Sequence, residues 1–316
     1  MNARRFRRRM LPAASAAVLL AGLGAAAPAS ARDIGERLRS RVLPPPAACK
    51  GCWHPPLVTR WQYQLQGVKA FASTGGIDVA ITSIPFTGGS PVAPDAFDID
   101  LYVDQKISGN DHTIDTAAVA AIHAAGHRAV CYVDAGTWEN WRPDADQFPK
   151  SILGRNNGWP GEKWLDIRQT DVLFPLMDAR VAKCAQGGFD AVEFDNVDGA
   201  FNKTGFKLTK DDQLFYNASL ANIAHGYGLS VGLKNDVDAT QVSTLLPYFD
   251  FAVNEQCFQY HECAVLQSFV QAGKPVFNVE YKGKPSSYCP AMNDTYDFNS
   301  AHKKLSLFDE PWLPCR

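Results

Sequence analysis

Short apolar runs alternate with longer helical stretches from Arg60 onward, and this rhythm predicts repeated βα units. Seven runs have the length and apolar content of buried strands, and a weaker run near the C-terminus supplies an eighth. The predicted strands are Trp61–Leu65, Phe97–Val103, Ala129–Asp134, Phe189–Asp195, Leu229–Lys234, Phe249–Asn254, Pro275–Glu280 and Leu305–Phe308.

Helical stretches lie between most of these strands, and each of the four clearest ones is followed by a glycine that can end a helix. Eight strands in about 250 residues predict an α/β fold, a (β/α)8 TIM-type barrel that forms a single catalytic domain. A doubly wound open sheet is the alternative, but it predicts a glycine-rich phosphate turn after the first strand, and the sequence has none. The four predicted helices are Thr116–Ala125, Val172–Gln186, Asp211–His225 and Cys263–Ala272.

The N-terminal segment has the features of a secretory signal peptide over residues 1–31. Five arginines precede an Ala/Leu-rich apolar run, and Ala29-Ser30-Ala31 predicts cleavage near Ala31. An uncleaved membrane anchor is the alternative, but the run is short and rich in Gly and Ala for a spanning helix. Residues 32–60 predict an extended Pro-rich leader, and residues 61–316 the barrel domain. No later segment is apolar enough to predict a stable membrane span, so we expect a secreted, extracellular protein.

Charge narrows the choice of partners. Hydrophobic residues make up 46% and charged residues 20% of the chain, as in an ordinary globular protein. Without residues 1–31, the chain has 26 basic and 33 acidic residues and a formal charge of −7. This acidity argues against nucleic acid as a partner and is compatible with a cationic substrate. Solubility alone would explain the charge equally well.

Eight cysteines in an exported chain predict disulfides rather than a metal site. The seven histidines show no H-x-H or H-E-x-x-H spacing, so we expect neither a metal nor another cofactor. Cys257 and Cys263 are close enough in sequence to bridge a loop, whereas Cys131 and Cys184 could either bridge or pack as small apolar groups. The spacing leaves open how the remaining four pair, namely Cys49, Cys52, Cys289 and Cys315.

Alternation divides the side chains of each predicted strand between two faces, and one face of each strand is assigned to the barrel interior. This face is too polar for an ordinary core, because burying unpaired charges costs several kcal/mol each. We therefore predict a hydrogen-bonded polar site at the barrel mouth, with Lys234 as its basic partner. The assigned residues are Gln62, Gln64, Asp98, Asp100, Tyr102, Tyr132, Asp134, Glu193, Asp195, Lys234, Val253, Glu255, Asn278 and Glu280.

Many carboxylates and few nucleophiles favour glycoside hydrolysis, in which a pair of Asp or Glu residues flanks the bond to be cleaved. Several motifs also resemble glycoside hydrolase family 114, the endo-α-1,4-polygalactosaminidases. The resemblance covers roughly Trp61 to Lys282. It rests on Phe194–Gly199, Val231–Asp236 and Phe251–Cys257, with support from Tyr132–Trp141, Gly158–Asp166 and Val276–Tyr281.

The resemblance implies a TIM-type barrel that cleaves internal α-1,4 linkages of a galactosamine-containing polysaccharide. It also implies that the paired carboxylates follow strands four and six, which gives Asp195 as nucleophile and Glu255 as acid/base in a retaining reaction. Glu193 would support Asp195, Lys234 would tune the pair, and an acidic mouth would attract cationic galactosamine. Further substrate contacts are expected from Asp100, Tyr132, Asp134, Trp138, Asp198, Asn235, Asp236, Glu280 and Tyr281.

Two alternatives to this function stay open at the level of sequence. A glycosidase of the same fold could act on a neutral α-galactoside, and it would then cleave acetylated and deacetylated chains equally well. A non-catalytic barrel could bind polysaccharide without turnover, although both predicted catalytic carboxylates are present.

Overall fold

A curled sheet of eight parallel strands forms the centre of the protein in a computed structural model that describes residues 42–109 and 112–316. The strands are β1 Trp61–Gln64, β2 Ala96–Asp100, β3 Arg128–Asp134, β4 Thr137–Glu139, β5 Leu153–Asn156, β6 Glu162–Leu165, β7 Ala191–Asp195, β8 Ser230–Lys234, β9 Phe251–Glu255, β10 Val276–Glu280, β11 Asn299–His302 and β12 Leu313–Pro314. Consecutive barrel strands lie side by side, in the order β1-β2-β3-β7-β8-β9-β10-β11, and β12 adds to β11 in antiparallel orientation.

Helices pack on the outside of the sheet, and their ends follow from local sequence. Asp115 caps one helix by accepting a hydrogen bond from the Ala118 amide, and Thr209 and Asp212 form a capping box on another. Gly188 ends the helix before β7 in the left-handed conformation, with φ 82°. The α-helices are α1 Gln105–Ser108, α2 Thr116–Ala124, α3 Thr170–Gly187, α4 Lys210–Gly226, α5 Ala239–Leu245, α6 Cys257–Tyr260, α7 Cys263–Gln271 and α8 Pro285–Ala291.

The eighth parallel strand is Asn299–His302, and the prediction of Leu305–Phe308 was wrong. β11 pairs with β10 in parallel, although its sequence is polar. Its polar groups form hydrogen bonds where the first and last strands meet. The Asn299 carbonyl accepts a hydrogen bond from the Trp61 indole at 2.9 Å, and the Asn299 side chain accepts one from the Thr59 amide at 3.2 Å. The predicted run instead forms a loop that brings Leu307 against the inner cluster.

The barrel interior is filled by large aromatic and apolar side chains below a polar mouth. On β1 and β10 the inner face is the opposite of the predicted one. Gln62, Gln64, Asn278 and Glu280 therefore do not line the interior, which is filled from those strands by Trp61, Tyr63, Phe277 and Val279. The other inner residues of the cluster are Val130, Tyr132, Ala191, Phe251, Val253 and Leu307.

The long connection after β3 forms its own small sheet. β4, β5 and β6 pair antiparallel in the order β4-β6-β5, and the segment lies directly after the strand end that carries Asp134. This small sheet therefore belongs to the same end of the barrel as the predicted site.

The described part of the leader has no regular secondary structure and lies on the barrel. Asn222 on α4 contacts both Ala47 and Pro45, and Tyr248 donates to the Pro44 carbonyl at 2.6 Å. The predicted signal peptide, residues 1–31, lies outside the described residues. No helix in the described ranges is long and apolar enough to cross a bilayer. The disulfides are Cys49–Cys52, Cys131–Cys184, Cys257–Cys263 and Cys289–Cys315.

Gly232 allows the close packing of the barrel interior and gives a test of it. A Cβ at this position would lie 2.4 Å from Cε2 of Phe251, which is fully buried. We expect Gly232→Ala to destabilise the protein by roughly 1–3 kcal/mol, because the ring has no space to retreat. Urea denaturation measures the loss. Gly226→Ala is the control, since that site is open space at a helix end; equal stability of both variants would contradict this account.

Candidate active site

Three adjacent barrel strands end in the same way, with a charged residue followed by a left-handed turn residue. Asn tolerates this conformation better than most residues, and two of the three turn residues are Asn; the conformation turns the chain sharply as it leaves the strand. The turn keeps each preceding charged side chain at the mouth of the barrel. The three pairs are Asp195-Asn196 with φ 58°, Lys234-Asn235 with φ 51° and Glu255-Gln256 with φ 65°.

Lys234 lies at the centre of the site and contacts three carboxylates. Its Nζ is 2.5 Å from Glu193, 3.2 Å from Asp195 and 3.7 Å from Glu255. The lysine side chain is buried, which opposes its charged form, but the surrounding carboxylates outweigh burial and hold the pKa of Lys234 well above its usual value. One fixed ammonium group therefore holds the three acids together.

Asp195 is oriented through both of its carboxylate oxygens. The Tyr132 hydroxyl donates to one at 2.8 Å, and the Asn196 amide donates to the other at 2.8 Å. Tyr132 lies beside Glu193 in the strand register, so its ring rises past that residue to reach the strand end. The side chain of Asp195 retains 19% of its exposure and is accessible from the mouth.

Glu255 is held in the same manner from the other side of Lys234. Asn235 donates to one carboxylate oxygen at 2.8 Å and accepts from the Glu255 amide at 2.8 Å. The Tyr281 hydroxyl donates to the other oxygen. Burial, and then the negative charge of Glu255, raise the pKa of Tyr281 well above its usual value, so the phenol stays a donor. Glu255 is 25% exposed and faces the same opening as Asp195.

Glu193 forms the floor of the site and is completely buried. One of its oxygens contacts Lys234 and accepts a hydrogen bond from the Tyr63 hydroxyl at 3.1 Å. Tyr63 also lies 2.8 Å from the lysine Nζ. Glu193 therefore fixes the cation from below and leaves the upper carboxylates open to the mouth.

Two of the acids predicted to contact substrate are instead engaged by the protein itself. Asp134 accepts from the Thr137 amide at 2.7 Å and from the Asn196 side chain at 2.7 Å, which ties the β3 and β7 loops together. Asp100 forms a two-point ion pair with Arg142, at 2.7 and 2.8 Å. Both side chains shape the mouth by holding its loops.

Asp198 is half-buried at the rim, and Asp236 is buried near it. Burial raises the pKa of Asp198 to about 6, with the charge of Asp195 contributing. Burial and then the charge of Asp198 raise the pKa of Asp236 to about 8. Asp236 also accepts from Asn217 at 3.1 Å. These two carboxyls become ionised only as the pH approaches or passes neutrality.

Trp138 and Glu280 complete the set predicted from sequence. The Trp138 indole donates to the Ala145 carbonyl at 2.9 Å, which anchors the half-buried ring within the β3 loop. Glu280 is buried behind β10 and accepts from the Phe258 amide at 2.9 Å. Counting alternation from the last residue of β10 assigned Glu280 to the mouth, whereas the next residue, Tyr281, is the one that reaches it.

Sequence reasoning missed two residues of the site. Tyr63 was assigned to the outer face of β1, although the need for large side chains inside a barrel favours the face that carries Trp61 and Tyr63. Glu162 lies in a Gly-Trp-Pro-Gly-Glu segment that contributed only to the resemblance. Burial, and then the charges of Glu139 and Asp195, raise the pKa of Glu162 to about 7, which places this carboxyl within electrostatic reach of the site.

The arrangement offers two partly exposed carboxylates, one buried cation between them and a tyrosine hydroxyl on each. In the described ranges, no group of three or more His, Cys, Asp or Glu side chains is placed to hold a metal ion. Acid/base and nucleophilic chemistry by the carboxyl groups themselves is what these side chains can supply.

The sequence profile of the glycoside-hydrolase family GH114 matches residues 43–316. The crystal structure of Aspergillus fumigatus Ega3 in complex with galactosamine is similar, with 32% identity and a TM-score of 0.67. The similarity covers 84% of this chain and 98% of Ega3. No curated protein sequence matches the chain.

More distant structures share the fold. The glycoside hydrolase domain of PelA from Pseudomonas aeruginosa has 13% identity and a TM-score of 0.54, over 82% of this chain and 98% of that domain. The α-galactosidase TtGalA from Thermus thermophilus has 14% identity and a TM-score of 0.50, over 82% of this chain and 60% of the enzyme.

Removal of the central cation tests how far the site depends on it. We expect Lys234→Met to cost about 3–5 kcal/mol of unfolding free energy, because it leaves buried carboxylates without a partner. The cost should grow as pH rises from about 5 to 8, since negative charges left without a cation repel one another more strongly in the folded protein as the pH rises. Urea denaturation at the two pH values measures both effects.

Lys210→Met is the matched control for this substitution. Lys210 is more than half exposed and pairs with Asp238 at 2.6 Å on the surface. Its loss should cost less than about 1 kcal/mol. A Lys234 variant as stable as the Lys210 variant at both pH values would show that the three acids do not depend on the ammonium group.

Proposed function

The chain belongs to the glycoside-hydrolase family GH114 and is a glycoside hydrolase, and on that premise we propose that it cleaves internal α-1,4 linkages of a galactosamine-containing polysaccharide. The observation that carries the proposal is the pair Asp195 and Glu255, both open to the mouth and both held by Lys234. Ega3, which shares 32% identity with this chain, was crystallised with galactosamine.

In this proposal Asp195 is the nucleophile and Glu255 is the acid/base. Lys234 Nζ is nearer to Asp195, at 3.2 Å, than to Glu255, at 3.7 Å. The cation is thus closer to Asp195, which suits a residue that must react as an anion, and farther from Glu255, which suits a residue that must carry a proton. Tyr132 and the Asn196 amide hold the Asp195 carboxylate in one orientation for attack.

The same distances support a retaining reaction. Since Nζ lies 3.2 Å from an oxygen of Asp195 and 3.7 Å from an oxygen of Glu255, these oxygens are at most about 7 Å apart, which accommodates the 5–5.5 Å carboxyl separation of retaining enzymes. Asp195 would attack the anomeric carbon while protonated Glu255 gives its proton to the leaving oxygen. Glu255 would then take a proton from the water that releases the sugar.

A cationic polymer suits the charge of the mouth. Lys234 is buried and fully engaged by carboxylates, so it presents little positive charge to a ligand. Asp198 and Glu162 are half-buried acids within electrostatic reach of Asp195, and Asp236 is buried near Asp198. The amine groups of deacetylated galactosamine would be attracted to this field. Export, as the N-terminal sequence predicts, would bring the enzyme to an extracellular polysaccharide, and four disulfides are compatible with that setting.

Replacement of either catalytic carboxyl should remove most of the activity. We expect Asp195→Asn and Glu255→Gln each to lower kcat by at least about 100-fold, because each loses a group that reacts with the substrate. Release of reducing ends from partly deacetylated α-1,4-galactosamine polymer measures the rate. The first product anomer, observed by proton NMR, should be α.

The control is Asp211→Asn, at an exposed position on α4, which should leave the rate unchanged. Wild-type activity in both catalytic variants would overturn the assignment of the catalytic residues. A β anomer as the first product would show that the reaction is inverting. Tight polymer binding by a wild type without turnover would show a binding barrel instead.

Substrate charge should couple to pH through the rim acids. Their pKa values of about 6, 7 and 8 for Asp198, Glu162 and Asp236 mean that each is protonated at low pH and gains negative charge on the way to pH 8. We therefore expect KM for a deacetylated oligomer to fall as pH rises from about 5 to 7, and to rise with added salt. KM for the fully acetylated oligomer is the control and should vary little. Identical behaviour of the two substrates would favour a neutral α-galactoside.

A further inference from the structure

Asp98 is a buried acid below the catalytic carboxylates that the reaction itself does not require. It is 1% exposed, and both of its carboxyl oxygens lie in the interior without a hydrogen-bond donor from the described residues. In the strand register it lies between Tyr63 and Val130, one inner position below the site. The second oxygen of Glu193, Oε2, is likewise buried without a donor, and the two carboxyl groups are within hydrogen-bonding reach.

One proton shared between the Asp98 carboxyl and Oε2 of Glu193 would supply the hydrogen bond that both groups lack. Two ionised carboxylates in contact in the interior would repel each other and leave several acceptors without donors. A carboxylic acid, by contrast, has an O–H that it can donate to a neighbouring carboxylate, and such charge-assisted bonds are strong. Glu193 is the member of the pair that contacts Lys234, so it is the one that stays ionised.

We propose that Asp98 is held as a neutral carboxylic acid and donates its proton to Glu193, so that it acts as a positioning residue for Glu193 and Lys234. This inference deepens the proposed function, on which its catalytic part rests. Burial, followed by the charge of Glu193, raises the pKa of Asp98 well above its usual value, in accord with this assignment.

The consequence for the site is a chain of fixed contacts. The Asp98 proton satisfies Oε2 of Glu193, and Oε1 of Glu193 is thereby left for Lys234 and Tyr63. The lysine in turn is shared with the two catalytic carboxylates. The titratable groups that face this chain are Tyr63 from β1, Tyr132 from β3, Glu193 and Asp195 from β7, Lys234 from β8, Glu255 from β9 and Tyr281 after β10.

Infrared spectroscopy tests the protonation state without reference to activity. At neutral pH the wild type should show the carbonyl band of a buried carboxylic acid that shifts on exchange into deuterium oxide. The difference spectrum against Asp98→Asn should contain that band, and the difference against the exposed control Asp211→Asn should not. Its absence from the Asp98 difference spectrum would show an ionised Asp98 and overturn the proposal, whatever the enzyme cleaves.

Kinetics test the positioning role. Asp98→Leu keeps the branched shape of the side chain, with larger end groups, but removes the donor, and we expect kcat to fall about 10- to 100-fold with little change in KM. Loss of the donor would weaken the contact between Glu193 and Lys234, and more of the lysine's positive charge would then act on the catalytic carboxylates. Both limbs of the pH–rate profile should therefore move to lower pH. Asp98→Asn restores a donor through its amide and should recover most of the rate.

Ile99→Ala separates this role from a loss of stability. Ile99 is the next residue on β2, buried on the outer face of the sheet, and its truncation weakens the strand without touching the site. It should lower the melting temperature and leave the pH profile in place. If the limbs of the pH–rate profile did not move in Asp98→Leu, or if Asp98→Asn were as slow as Asp98→Leu, the proposal would be wrong and Asp98 would contribute only packing.

Discussion

The ammonium group of Lys234 is the interaction on which the site depends. It lies within 4 Å of three carboxylates from β7 and β9, the strands on either side of its own strand β8. Only one of those acids, Glu193, is completely buried. Without it, the mouth would bring together like charges that the interior of a protein does not tolerate. With the ammonium group in place, the buried acid Glu193 holds the lysine, and Asp195 and Glu255 stay partly exposed.

The rest of the mouth keeps these groups in place with contacts that need no substrate. Left-handed turns after β7, β8 and β9 end the strands at the charged residues, and Asn235 bridges two of those ends through the Glu255 backbone and side chain. Asp134 joins the loops after β3 and β7, while Arg142 connects Asp100 to Glu139 within the loop. Preorganisation of this kind lets the two carboxylates proposed to react hold one geometry before substrate arrives.

The sequence predicted most of the fold, because buried parallel strands are apolar and their helices end at glycine. It missed the eighth strand, since Asn299–His302 is polar and gains its stability from bonds to residues far away in the chain. Alternation identified Asp195, Glu193, Lys234 and Glu255 correctly as inner residues, but it placed Gln62 inside in place of Tyr63 and Glu280 in place of Tyr281. Alternation separates the two faces of a strand, but it does not say which of them faces the barrel interior.

Compensation of each buried carboxyl group explains how a barrel rich in acids can be stable. Each carboxyl in the interior has either a cation, as Asp100 has in Arg142, a set of donors, as Asp134 has, or a raised pKa that keeps it neutral, as Asp236 has. Asp195 and Glu255 combine a shared cation with partial exposure. In the proposed reaction, that combination stabilises the negative charge that catalysis needs and leaves one side of each carboxylate open to the substrate.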